Sequence, residues 1–389
     1  MDTRTLVFGV ENYLQQQQAR YLDELRELCA IDSDSHNKVG LDYMATRLAA
    51  RMRGLGMDAT IVEQEQWGND LFATIRGDGR GSVLLLGHMD TVYPRGTAAR
   101  RPVRVENDVA YGPAVIDMKG GILLGCYAIE ALLALGYRDF GEIRFLCVSD
   151  EEISVRHSLS LMRHACEGCN GAFVLEAARA NGDIVSVRKG NAWYTLTAQG
   201  RSAHAGVEPE KGHNAILEIA HQTLQFKSLN GWRDGISINA GMISGGTAPN
   251  VVPDSAMVRF DLRFLHVEDR LATEARWHDL LKVHHVAEVE TTLLLEPDSR
   301  NPMALTPASQ RMVEAAKSIA ATLGFPLADT TTGGASDGSF VTDYGIPTLD
   351  GLGPIGGRDH SPYEYLLLNS VAPRAALLAG LIAYICGQK

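Results

Sequence analysis

Apolar positions along the chain recur in two rhythms, and the changes between them outline the fold. Over residues 7–29 and 41–55 they return every three or four positions, which predicts two amphipathic helices, the second closed by a turn at Gly54 to Gly56. Short apolar runs at 59–62, 71–75 and 83–86 predict strands. A helix over 119–135 then leads to a strand at 143–148, a helix at 159–165 and a strand at 172–175. Strands alternating with helices predict an α/β layer with a mostly parallel sheet, and such sheets gather ligands beyond the carboxyl ends of their strands.

Near residue 190 the rhythm becomes alternation. A strand at 193–199, a helix at 214–226, strands at 236–243 and 256–264, a helix at 268–281 and a strand at 287–294 predict a small α+β unit of the split βαβ, ferredoxin-like kind. Gly-rich or Pro-bearing breaks lie at Lys189-Gly190 and at 297–302. The α/β pattern returns with a helix from Thr306 to Leu323, a Gly-rich turn at 332–338, a strand at 346–349 and a helix at 371–385. The expected organisation is one α/β domain from residues 1–190 and 301–389, with residues 191–300 inserted into it.

A length of 389 residues suits two domains, and 45% apolar with 21% charged residues is ordinary for a soluble protein. A formal net charge of -11 argues against nucleic acid or an anionic membrane surface as partner. The N-terminus lacks a signal-peptide apolar region, and no stretch approaches the roughly 20 apolar residues of a membrane span, so a cytoplasmic location is expected. The six cysteines sit in apolar or helical contexts, as reduced thiols do. Cys166 and Cys169, beside His164, form a lone CxxC without the second pair that a structural zinc site needs.

The ends of the predicted strands carry the chemistry. One run ends in Gly87-His88-Met89-Asp90, another in Asp150-Glu151-Glu152, a third in Glu176; Asp117 opens a helix, and His360 follows a Gly-rich segment. The parallel-sheet rule puts these groups on one rim, where carboxylates in company repel unless cations sit among them. Mixed His and carboxylate donors suit Zn²⁺, Co²⁺ or Mn²⁺. Two ions about 4 Å apart need a bridging carboxylate, and Asp117, between Gly112 and Gly120-Gly121, is the candidate. Asp90, two residues from His88, can orient that imidazole. If Glu152 binds metal, Glu151 points elsewhere and can act as general base, with Asp150 a turn residue or support.

These residues stand in motifs: GHMDTVYP, YGPAVIDMKGG, SDEE, SAHAG, NVVP before DLRF, GGASDG and GGRDHS. Over about residues 80–365 their order resembles the M20 family of zinc aminopeptidase-like amidohydrolases, most nearly its glutamate carboxypeptidase (carboxypeptidase G2) group. The resemblance implies two Zn²⁺ per subunit, one on His88, Asp117 and Glu176, the other on Asp117, Glu152 and His360. It implies Glu151 as base, Asp90 as the acid supporting His88, and a cis peptide between Asp117 and Met118. His204 would polarise the scissile carbonyl, in some members from across a dimer. Asn250 and Arg263 would grip a substrate carboxylate, with Arg300 and Gly334 added to the substrate-binding set. The inserted domain would be a lid and dimerisation domain, and the substrate a small molecule or peptide with a free carboxylate. The implied reaction is a carboxypeptidase's, possibly glutamate-releasing, or that of an N-acyl-amino-acid amidohydrolase.

The chain also departs from the family pattern. ISVRHS follows SDEE where relatives often carry glycines, Ala-Ala follows Glu176 where near relatives have a proline, and Ala114 stands where glycine is usual. None removes a ligand. His36, His157, His164, His213, His221, His266, His278, His284 and His285 match no ligand position and read as surface or capping groups. Two rival readings exist. GASDG satisfies GxSxG, and Ser336, Asp350 and His360 follow the order of a serine α/β-hydrolase, but the preceding segment is polar and too few positions separate Ser336 from His360. A metal-binding protein without catalysis would be expected to lack the base, and Glu151 is present.

Overall fold

The computed structural model describes residues 1–154 and 157–388. They form two compact units: Met1–Val187 with Leu305–Thr331 and Ser336–Lys389, and Arg188–Ala304 with Thr332–Ala335. The chain opens with α1 (Thr3–Gln16), α2 (Gln18–Cys29) and α3 (Lys38–Arg53). The one helix expected over 7–29 is therefore two. Gln17 leaves helical geometry at φ -99° and ψ 3°, because the glutamine run at 15–18 cannot extend the apolar stripe that ends at Leu14 and restarts at Tyr21.

Strands β1 (Asp58–Val62), β2 (Asp70–Arg76) and β3 (Ser82–His88) follow, then α4 (Thr97–Arg100), β4 (Arg104–Glu106), β5 (Val109–Tyr111), α5 (Lys119–Ala134), β6 (Glu142–Val148), α6 (Leu159–Cys166), β7 (Gly171–Val174) and β8 (Ile184–Arg188). The smaller unit carries β9 (Gly190–Gln199), β10 (Ala203–His204), α7 (Ala215–Ser228), β11 (Ser237–Gly245), β12 (Val251–Val252), β13 (Ser255–Phe264), α8 (Val267–Leu280) and β14 (Glu290–Leu295). The chain closes with α9 (Pro307–Leu323), β15 (Asp329–Thr332), α10 (Gly338–Asp343), β16 (Thr348–Leu349), β17 (Gly356–Gly357), β18 (Tyr365–Leu367) and α11 (Val371–Cys386).

The main sheet of the larger unit runs β1-β2-β6-β3-β7-β16. Pairs β6–β3, β3–β7 and β7–β16 are parallel, while β1–β2 and β2–β6 are antiparallel, giving the mixed, largely parallel sheet of an α/β fold. Val83 and Leu85 join an apolar cluster with α1, α5 and α11, whereas Leu84 and Leu86 join another with α6 and Val341. Burial on both faces is why this strand reads as an unbroken apolar run. Among the described residues one stretch, Leu368–Cys386, is long and apolar enough to cross a membrane, where none was expected. It is chiefly α11, and Ala375, Leu378 and Ile382 lie fully inside the core, so its composition is that of a helix packed on nearly every side.

A second sheet of the larger unit, β17-β18-β5-β4, was not anticipated, because strands of two or three residues are too short to show a period. The smaller unit is an antiparallel sheet, β11-β13-β9-β14. Tyr194, Leu196, Val258, Phe260 and Leu262 bury one face against Phe226 of α7 and Trp277 of α8, while Arg259, Asp261 and Arg263 alternate onto the other.

Candidate metal centre

Parallel strands bring His88 and Glu176 together: β3 ends at His88, and β7, paired beside it, ends two residues before Glu176. The close packing needs Gly121 in α5, since a Cβ there would lie 2.0 Å from the carbonyl oxygen of Leu175. Asp117 and His360 come from the small sheet. β5 leads into the segment ending at Asp117, its partner β18 follows the β17–β18 hairpin that carries His360, and the two strands pair at Tyr111 and Tyr365. The Asp117–Met118 peptide is cis.

Asp117 divides its carboxylate between the two imidazoles. Its Oδ1 lies 3.0 Å from His88 Nε2, and its Oδ2 lies 3.0 Å from His360 Nε2. Each imidazole faces a further acid: Glu176 at 3.6 Å from His88 and Glu152 at 3.4 Å from His360. Donor atoms of His88, Asp117 and Glu176 fall within 4.8 Å of one another, as do those of Asp117, Asp359 and His360. All five expected ligands thus meet within the larger unit, and Asp359 adds an acid not anticipated.

The electrostatics fit cations. Burial pushes the Glu152 carboxyl up to about 7, with neighbouring Asp117 adding to the rise, and burial raises Glu176 as well. Burial would raise Asp117 too, but His360 and His88 hold it well below the usual range. Asp117 and Glu152 lift His360 to about 11, and carboxylate contacts raise His88 despite its burial. A divalent ion on these nitrogens would bring the same acids the positive charge toward which the contacts drive each imidazole. His88 Nδ1 lies 3.0 Å from the main-chain oxygen of Asp90, which fixes the tautomer that leaves Nε2 for ligation. The Asp90 carboxylate, expected as that partner, is 3.3 Å away. Its oxygens accept the N–H of Glu151 at 3.2 Å, the N–H of Glu152 at 3.0 Å and the Ser35 hydroxyl at 2.7 Å. Asp90 therefore ties His88 to the 3₁₀ turn Glu151–Ile153.

Two supporting residues escaped the sequence reading. Glu364 is fully buried and accepts N–H bonds from Ala114 at 3.0 Å, Ile116 at 2.9 Å and Asp117 at 3.1 Å, with the Tyr93 hydroxyl at 2.5 Å. Burial lifts its carboxyl to about 7. A lone glutamate between two tyrosines gives no sequence signal of this role. His157, expected at the surface or as a cap, is instead 11% exposed, 3.0 Å from Asp150 and stacked on Trp67. The SDEE segment pulls it inward because Asp150 is fully buried and takes the His157 N–H at 2.9 Å. Ser336 donates to Asp350 at 2.5 Å, whereas His360 turns its Nε2 to Asp117 and Glu152, which is not the serine-to-imidazole order of a hydrolase triad.

The expected substrate residues lie in the smaller unit, in two groups. His204 pairs with Val251, and the Asn250 carbonyl accepts the N–H of Ala205 at 2.9 Å, so His204 and Asn250 are exposed neighbours. Gly206 N–H donates to His204 Nδ1 at 3.2 Å, leaving Nε2–H outward. Arg263 and Arg300 both adjoin Asn191 at the opposite end of β9, and Arg188 donates to the Gly334 carbonyl at 3.1 Å. From Ser255, near the first group, to Arg263 is roughly 26 Å of strand. Asn250 and Arg263, expected to grip one carboxylate, thus lie toward opposite ends of the sheet.

Comparison with known proteins follows the same lines. Residues 84–384 match peptidase family M20/M25/M40. The chain is 27% identical to carboxypeptidase G2 of Pseudomonas sp. (strain RS-16) over 374 residues, 94% of this chain and 89% of that one. It is 28% identical to succinyl-diaminopimelate desuccinylase of Alkalilimnicola ehrlichii over 360 residues, covering 87% and 93%. Its fold resembles that of aminopeptidase PepT from Bacillus cereus, with a TM-score of 0.81 and 23% identity over 95% of this chain and 98% of that one.

Proposed function

The chain belongs to peptidase family M20/M25/M40 and is a metal-dependent hydrolase, and from that premise we propose that it uses two zinc ions per subunit to cleave the amide bond preceding an amino acid with a free carboxylate. The observation that carries this reading is Asp117, which offers one oxygen to each of two histidines at 3.0 Å, each histidine having an acid of its own. His88, Asp117 and Glu176 would hold one ion, and Asp117, Glu152 and His360 the other. Bound ions supply Lewis acidity and bring the pKa of a water into the working range.

The chain's own groups do the rest. Asp90 holds the Glu151 N–H, which orients the turn so that Glu151 takes a proton from the attacking water and passes it to the departing amine. Outward Nε2–H suits His204 to polarising the scissile carbonyl. Arg263 would bind the free carboxylate, with Arg300 and Gly334 nearby. Because His204 and Asn250 stand a strand's length from Arg263, they would serve the partner's site in a homodimer built on the inserted unit. Met242 and Ile243, exposed on edge strand β11, give that assembly an apolar surface.

Carboxypeptidase G2 and the desuccinylase are matched at nearly equal identity, so N-acyl-amino-acid deacylation is the second reading. The test is a screen of zinc-loaded protein against dipeptides and N-acyl amino acids, with ninhydrin detection of released amine. Chelator-sensitive release from one class is expected, with two zinc per chain by elemental analysis. Activity indifferent to chelators would refute the reading.

A further inference from the structure

We propose that His157 is a positioning residue for the Glu151 and Glu152 turn, held as an imidazolium between the buried carboxylates of Asp70 and Asp150. The proposal rests on the functional reading above, in which Glu151 moves the proton and Glu152 holds metal.

Both carboxylates are fully buried, and they share the Ser158 hydroxyl, 2.8 Å from Asp70 Oδ1 and 2.7 Å from Asp150 Oδ1. Two buried negative charges so close repel strongly unless a cation faces them. His157 supplies one: Nδ1 lies 3.0 Å from Asp150 Oδ2, and Nε2 lies 4.0 Å from Asp70 Oδ1. Counting protons leads to the same charge state. The Ser149 hydroxyl stands 2.6 Å from the Gly68 carbonyl and 3.0 Å from Asp70 Oδ1, and its one proton goes to one of these two acceptors. With that proton spent on either one, His157 Nε2 at 3.1 Å is the donor to the Ser149 oxygen, while Nδ1 lies 3.0 Å from an Asp150 carboxylate oxygen, where a bare lone pair would be repelled. Burial alone would lower the basicity of His157, and Asp150 reverses this and raises it.

The ring is fixed in place as well as charged. Trp67 stacks on it at 5.8 Å with planes 12° apart, and the Trp67 carbonyl accepts from Lys38 Nζ at 2.9 Å. The consequence reaches the catalytic turn by a short path. Asp150 accepts the main-chain N–H of His157 at 2.9 Å and stands two residues beyond the end of β6, and the next two residues are Glu151 and Glu152. Asp90 grips the same turn through the N–H groups of Glu151 and Glu152. The turn is thus clamped from both sides, by Asp90 and by the Asp150–His157 pair.

The test uses the zinc-loaded full chain. Long-range ¹H–¹⁵N NMR is expected to show both His157 nitrogens protonated at neutral pH, and to show a neutral ring in Asp150→Asn. With the best substrate of the screen, His157→Gln and His157→Ala should lower kcat about 10–100-fold while KM and zinc content hold, and Asp150→Asn combined with His157→Gln should lose little more than either alone. If the alanine variant does not fold, the glutamine variant and the NMR decide. A neutral His157 in the native enzyme, additive losses, or wild-type kcat in His157→Gln would overturn the proposal. Turnover retained by Glu151→Ala would instead overturn the functional reading, and the NMR result stands apart from both.

Discussion

The two units carry their functional residues in opposite ways. In the larger unit, two imidazoles lie 3.0 Å from Asp117 and each has an acid 3.4–3.6 Å away, so that four separate segments close on one carboxylate, held by buried acceptors such as Asp90 and Glu364. In the smaller unit, His204 and Asn250 stand exposed at one end of a sheet, with Arg263 and Arg300 at the other. A metal site must be assembled before substrate arrives, because its ligands repel until they are neutralised. Groups proposed to touch substrate need only converge in the complete complex, and a four-stranded sheet backed by two helices can offer one end to each of two sites.

The largest effect should come from Glu151→Ala, which tests whether the closed site does chemistry. Loss of the general base is expected to lower kcat by roughly 10²–10⁴-fold, with zinc content unchanged by elemental analysis. Near-normal turnover would leave the larger unit as a metal store. The smaller unit is tested by His204→Ala, with an expected loss of about 10²–10³-fold in kcat. If His204 serves a partner, mixing refolded His204→Ala and Glu151→Ala subunits restores roughly a quarter of wild-type turnover, since half of a random mixture is hybrid dimers with one intact site. No recovery would place His204 in its own chain's site and contradict the split arrangement.

The buried frame of the larger unit comes next. In Glu364→Gln an amide NH₂ faces main-chain N–H groups that the carboxylate now satisfies. Zinc affinity, measured by chelator competition, should fall about 10-fold or more. Unchanged affinity would mean that Asp117 is held without Glu364.

What was legible in the sequence follows the same division. The five expected ligands could be read because each ends an apolar run or lies in a Gly-rich segment, and parallel pairing carries the ends bearing His88, Glu152 and Glu176 to one rim. Glu364 could not, because three of its partners are main-chain N–H groups about 250 positions away that no residue type signals. His157 misled for a related reason: it is drawn in by buried Asp150, and the Trp67 ring that covers it comes from another part of the chain. The helix break at Gln17 and the small sheet holding Asp117 and His360 were hidden by a polar run and by strands too short for a period. In the smaller unit each residue type could be read, but the distance between the two groups depends on strand register, which appears only once the sheet is paired.

A smaller effect separates the site from the scaffold that carries it. Glu130, on the helical side of the larger unit, meets Arg20, Arg51 and the Tyr13 hydroxyl. Burial would raise its carboxyl, but bonds from Arg20, Tyr13 and Arg51 outweigh that and bring it to about 2. A folded pKa below the unfolded value means that the contribution is complete above about pH 4.5 and fades as pH falls toward 2. The shift corresponds to roughly 3 kcal/mol, which solvent screening reduces to about 1–2 kcal/mol. Urea melts of Glu130→Gln should show that deficit at pH 7 and little of it near pH 2.5, with zinc affinity unaltered. A change in zinc affinity would join scaffold and site more tightly than the comparison allows.

The smallest effect is expected at Ala114, whose backbone lies in the left-handed region at φ 59° within the loop that presents Asp117. Replacing it with glycine relieves roughly 1–2 kcal/mol of backbone strain. Against this stand about 0.5–1 kcal/mol of extra unfolded-chain entropy for glycine and about 0.8 kcal/mol for the buried methyl group that is lost. The terms nearly cancel, so Ala114→Gly should change stability by less than about 1 kcal/mol in denaturant melts. That balance explains how an alanine is tolerated at a left-handed position three residues before Asp117. A clear gain in stability would show that strain is stored in the loop, and a matching change in zinc affinity would show that Asp117 feels it.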